Sequence, residues 1–294
     1  MTTLNRRTLL ATSGLALMHG SLALARNEAP AANDVLPSFP STDPELVSGV
    51  VFVAHTDLDA VVELVTARPH LARATVDWGF GDWESALGAA SHMGRRDIAE
   101  FLIGNGARPD IFSAAMLGQL AVVRALVAAS PGVQRIPGPH GITLLAHARA
   151  GGEAAAPVLE HLEELGDADM HPETVELSDE QRQQFVGTYG FDAASNDTLE
   201  IADNRGTLSL RRAGRPFGRR LFPVNATEFY ASGSPTVRIF FEIQDGQATA
   251  LRVIDNEVVL SATRMRTAQN TVVAFRKSVL PWSERSPNSA VPRW

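Results

Sequence analysis

Residues 82–110, DWESALGAASHMGRRDIAEFLIGNGARPD, constrain the fold of this chain more than any other stretch. Small apolar residues from Ser85 to Ala90 predict a short helix. Gly94 supplies a tight turn, where a positive φ suits glycine. Asp97 to Ile103 then predicts a second helix, with Ile98, Leu102 and Ile103 on its buried side. Three weaker copies flank this unit. The first, from about Asp43 to Asp77, has Val50, Val51, Val53 and Ala54 in one helix, turns at Asp57, and has Leu58, Val61, Val62, Leu64 and Val65 in the next. The third runs from Ile111 to about Gly132, with its turn at Gly118. The fourth begins at Gly138, turns at Gly151-Gly152 and finishes on Val158, Leu159, Leu162 and Leu165. Turns at 57, 94, 118 and about 151 are spaced by 37, 24 and 33 residues.

Ser85-Ala86-Leu87-Gly88-Ala89-Ala90 resembles the T-P-L-H-x-A opening of an ankyrin repeat, with Thr, Pro and His replaced. Ile103-Gly104-Asn105-Gly106-Ala107 resembles that family's L-x-x-G-A ending. The ankyrin period is about 33 residues. The resemblance implies a helical solenoid of about four irregular repeats over residues 43–169, acting as a protein-binding scaffold. It also implies extended fingers at Arg68 to Asp82 and Ser130 to Ile142, with no room for one in the third copy. Trp78, Phe80 and Trp83, in the first finger, are the expected partner contacts, and His140 in the fourth is the next.

The N-terminus reads as a targeting segment. Asn5-Arg6-Arg7-Thr8-Leu9-Leu10 resembles a twin-arginine export signal, with a Sec signal as the alternative. A run of modest apolarity then ends at Ala23-Leu24-Ala25. Cleavage after Ala25 is expected to leave a periplasmic or secreted protein. Residues 26–42, with three prolines, read as a flexible linker. The full chain carries 26 basic and 33 acidic residues. Loss of Arg6 and Arg7 leaves 24 against 33, a net charge of −9. That disfavours nucleic acid as a partner, and no later run is long and apolar enough to predict stable membrane insertion. Cysteine is absent, which removes disulfides and thiolate metal sites.

After a linker at 170–177, Ser178-Asp179-Glu180-Gln181 is a capping-box pattern. Eight strand-like runs follow, beginning near Phe185, Thr198, Thr207, Arg219, Glu228, Thr236, Ala248 and Glu257. They predict an antiparallel meander or barrel over residues 178–266, with a tail at 267–294. Val186 to Tyr189, Gly206 and Leu208, Leu221 to Pro223, Phe229, Phe240-Phe241, Asp245-Gly246 and Leu251 resemble the lipocalin-like β-domain found behind serine β-lactamase-like hydrolases. The expected class is therefore multidomain α + β, an ankyrin solenoid followed by a lipocalin-like barrel.

No catalytic set is legible. The one lysine, Lys277, would need serine at 274 for a Ser-x-x-Lys motif, and that residue is Ala274. G-x-S-x-G is missing, and Gly79-x-Gly81 is followed at the third glycine position by Glu84. His55, His92 and His147 fall beside helix turns and read as groups that satisfy turn backbone, not as metal ligands. His55-x-Asp57-x-Asp59 reads as a solvated cap. The expectation is thus a non-catalytic adaptor with no cofactor and no metal. Carriage of an apolar or anionic ligand in the barrel is the alternative, and an accessory role beside an exported hydrolase is a weaker one. Arg211, Arg212, Arg215, Arg219 and Arg220 crowd one turn, and either stay solvated or dock on an anion or on the acidic helical half.

Overall fold

The computed structural model describes residues 38–192, 197–215 and 217–265. The expected export signal, most of the expected linker at 26–42 and the expected tail lie outside them. Among the described residues there are nine short helices and a closed eight-stranded barrel. The helices are α1 Pro44–Val53, α2 Leu58–Ala67, α3 Ala86–His92, α4 Arg96–Gly104, α5 Ile111–Met116, α6 Leu120–Ala129, α7 Leu144–Ala150, α8 Ala156–Leu165 and α9 Asp179–Gln183. None is long and apolar enough to cross a membrane.

The expected ankyrin solenoid is overturned: the helical half shows no extended solenoid. Helices of six to ten residues gather around two separate cores, one on Val50, Val51, Leu87 and Leu102, the other on Ile111, Val123, Leu144 and Leu162. Fingers do not repeat either. One two-stranded hairpin forms, β1 Thr75–Asp77 with β2 Trp83–Ser85. The stretch 130–142 instead makes two 3-10 turns, Val133–Arg135 and Pro139–Gly141. Pro131, Pro137 and Pro139 remove the N–H groups that a hairpin ladder would need.

Local chemistry sets the helix ends. Asp57, Ser85, Asp110 and Thr143 each cap a helix by accepting from a backbone N–H in its first turn. Gly94 and Gly118 turn the chain at φ +68° and +74°. A Cβ at these positions would sit 2.3 Å from Ala150 O and 2.1 Å from Ala154 O. The turns therefore pack directly on the backbone at Ala150 and Ala154, at and just after the end of α7, and only glycine fits.

The barrel strands are β3 Gly187–Gly190, β4 Thr198–Asp203, β5 Leu208–Arg212, β6 Arg219–Pro223, β7 Glu228–Ala231, β8 Ser234–Gln244, β9 Gln247–Asp255 and β10 Val258–Arg264. Each pairs antiparallel with its neighbour in sequence, and β10 closes on β3 through Thr263↔Gly190 and Arg264↔Tyr189. Phe185, Tyr189, Phe229 and Phe241 fill the interior, with ring centroids 4.8–5.9 Å apart. Each such buried ring contributes roughly 2–3 kcal/mol.

The β1–β2 finger is not free. Phe80 packs against the barrel core, and its carbonyl accepts from Ser234 Oγ at 2.9 Å. Ser232 Oγ donates to His140 O at 2.7 Å, and Arg219 reaches Asp82. This contact between the halves positions the site described next.

Candidate metal centre

Strand periodicity builds the centre of the site. Side chains alternate along β2, so Trp83 and Glu84 point to opposite faces. Trp83 is 62% exposed, whereas Glu84 is fully buried. A buried carboxylate needs partners. Trp78 Nε1 donates to Glu84 Oε2 at 2.7 Å. Three imidazoles surround the same group. His92 Nε2 lies 2.9 Å from Oε1, and His140 Nε2 and His55 Nε2 lie 3.3 and 3.5 Å from Oε2.

Each histidine comes from a different segment. His55 follows α1 and its Nδ1 donates to the carbonyls of Val51 and Phe52, at 3.1 and 3.0 Å. That fixes the tautomer and leaves Nε2 as a lone-pair donor. His92 is the last residue of α3. His140 sits in the 3-10 turn at φ +61°, a left-handed conformation unusual for histidine. Asp82 holds it there: its Oδ1 accepts from the His140 backbone N–H at 2.8 Å, and its Oδ2 lies 2.7 Å from Nδ1. The rings of His55 and His92 meet edge to face at 5.0 Å, and those of His92 and His140 at 5.7 Å.

One donor atom from each of His55, Glu84, His92 and His140 lies within 4.8 Å of the others. Donors around a single ion at ~2.1 Å stand at most ~4.2 Å apart. The cluster meets that geometry with small side-chain shifts. Three imidazoles and one carboxylate suit zinc, iron, nickel or copper. The supports fit as well. His140 pairs its second nitrogen with a carboxylate, His55 with backbone carbonyls, and Glu84 is itself hydrogen-bonded.

In the metal-free site His140 and the carboxylates hold one another charged, so an ion must displace the His140 proton. Burial alone would raise the Glu84 pKa, but hydrogen bonds from His140 and His92, and the charges of His140 and His55, bring it down to about 2. Burial disfavours a charged His140, yet hydrogen bonds and charges from Asp82 and Glu84 raise it to about 9. Asp82 is pulled below the ordinary carboxylate range against its burial, by the His140 bonds and the Arg219 charge.

His147 lies beside the cluster, fully buried. Its Nδ1 is 2.7 Å from Ser91 Oγ, its ring is 6.3 Å from that of His92, and its Nε2 has no partner. Burial, then the His92 charge, push its pKa down to about 3, with Glu84 pulling weakly the other way. A histidine depressed in the fold favours the unfolded chain once the solution can protonate the latter. Its contribution to stability is complete above pH 6.5 and is lost progressively as pH falls toward 3. EDTA-treated protein should lose about 2 kcal/mol more between pH 7 and pH 5 than a His147→Asn variant, which keeps a partner for Ser91. Urea unfolding at the two pH values measures this, and equal losses would show that His147 takes up its proton within the fold.

The residues singled out from sequence scatter across this picture. Trp78 and His140 enter the cluster, Phe80 is taken by the barrel, and Trp83 stays on the surface. Of the arginines, Arg219 contacts Asp82 of the helical half. Arg211 pairs with Glu200, Arg212 with Asp197, Arg220 lies 4.5 Å from the Phe222 ring centroid, and Arg215 is exposed. Of the histidines read as turn residues, His55 satisfies the turn through Nδ1 while its Nε2 faces Glu84, and His92 faces the same carboxylate. A hollow of about 470 Å³ at Asp179, Arg182, Gln183, Asp203, Arg205 and Gly206 lies apart from the cluster. Its Arg182 is already held by Asp203 at 3.0 Å. No family model, no curated protein and no solved structure matches this chain, so the ankyrin and lipocalin-like resemblances rest on the quoted residues alone.

Proposed function

We propose that this chain is a metal-binding protein whose ion is held by Nε2 of His55, His92 and His140 and by the Glu84 carboxylate. The observation that carries the reading is a fully buried glutamate facing three imidazole nitrogens at 2.9–3.5 Å. Asp82 and Trp78 orient two of the four ligands from behind. Of the aromatic residues expected to contact a protein partner, Trp78 and Phe80 pack inward and Trp83 is exposed.

An ion here joins α1, β2, α3 and the 139–141 turn, and binding only the folded state stabilises that state by mass action. EDTA-stripped full-length protein should bind one Zn²⁺ or Co²⁺ per chain in calorimetric titration. His92→Ala should weaken binding by about 100-fold or more. Wild-type protein that binds no tighter than His92→Ala would rule the reading out.

A further inference from the structure

Resting on the metal reading above, we propose that the ion takes an exogenous ligand: a small monocarboxylate with an apolar, aromatic body. The charge count points to a single negative charge. A divalent ion beside Glu84 and Asp82, with Arg219 paired to Asp82 and the imidazoles neutral, leaves the site at +1. Such a charge held out of water favours an anionic partner. The four protein donors do not complete the shell of an ion that takes five or six ligands.

The surroundings say where that ligand enters. Glu84 is closed off and the His92 side chain is only 8% exposed, but those of His55 and His140 keep 21% and 26%. The open side therefore lies between His55 and His140. An arc of rings spans this opening. Phe52 lies 6.4 Å from His55, Phe217 stacks on Phe52 at 5.5 Å, Trp78 meets Phe217 edge-on at 5.8 Å, and Trp78 lies 6.1 Å from His140. Phe52 and Phe217 are both exposed. Apolar rings around a few convergent polar groups are what a small-molecule site requires. Offset or edge contacts with these rings favour an aromatic body over a bare methyl group.

The test uses cobalt-loaded full-length protein, with the visible spectrum as readout. Benzoate should change the spectrum saturably and bind about 10- to 100-fold more tightly than acetate. Benzylamine, of similar shape and opposite charge, should leave it unchanged. Phe52→Ala and Phe217→Ala should keep the cobalt spectrum and lose at least about 5-fold of the preference for benzoate. Cobalt that loads through the histidines but ignores benzoate, or takes it no better than acetate, overturns this proposal and leaves the metal reading standing. Cobalt that fails to load overturns both.

Discussion

Glu84→Ala is expected to lower metal affinity by at least about 100-fold and to destabilise the metal-free protein by about 3–5 kcal/mol. The two effects have separate causes. Metal affinity falls because the one anionic donor is removed from a set otherwise made of neutral imidazoles. Stability falls because the metal-free fold uses the same carboxylate as an acceptor. Trp78 Nε1 loses its partner at 2.7 Å, and His92 and His140 lose the group that holds them at 2.9 and 3.3 Å. A buried donor left unpaired costs about 1–3 kcal/mol, and more where a charge is involved. Glu84→Gln separates the causes. The amide oxygen still accepts from Trp78, so the fold should lose about half as much, while the ion is lost as completely. Urea unfolding with EDTA present gives the first quantity and calorimetric titration with Zn²⁺ the second. An unchanged affinity in Glu84→Gln would show that the histidines bind the ion without the carboxylate.

Much of the local structure was legible in the sequence, and the limits have physical reasons. Barrel strands lie within two residues of the expected runs, because alternation and turn glycines report strand ends directly. The Ser178 capping box forms as its spacing requires. Gly94 and Gly118 mark real turns. What the residues could not report was how the helix pairs assemble, since an irregular copy buries the same residues in a solenoid or in a compact layer. The ligand set stayed hidden for a related reason. His55, Glu84, His92 and His140 are spread over 86 positions and converge only through tertiary contacts. One signal was present. His55 and His92 each lie two residues before the turn of their helix pair, and their rings meet edge-on at 5.0 Å. Asp82-x-Glu84 was the second signal, two acids on either side of the exposed Trp83 where the finger enters β2, and both reach His140.

Asp82→Ala should be the other most damaging single change, costing about 3–5 kcal/mol, because it breaks a buried ion pair by removing one partner. Asp82 is almost fully buried and holds three groups: the His140 backbone N–H at 2.8 Å, His140 Nδ1 at 2.7 Å, and the Arg219 guanidinium. Without it, Arg219 keeps only the Ser232 carbonyl among these acceptors, and its Nε already lacks a partner. The same loss frees His140 from its left-handed turn, so metal affinity should fall by about 10- to 100-fold. A double-mutant cycle identifies the cause. Arg219→Met removes the charge that Asp82→Ala leaves stranded, so Asp82→Ala/Arg219→Met should recover about 1–3 kcal/mol relative to Asp82→Ala. Metal affinity should not recover with it, because His140 still lacks its carboxylate. Urea unfolding and Zn²⁺ titration on the four proteins of the cycle measure both quantities. Additive stabilities would mean that Arg219 and Asp82 do not pair in solution. An affinity that rises with the restored stability would mean that Asp82 acts on the ion through the fold and not through His140.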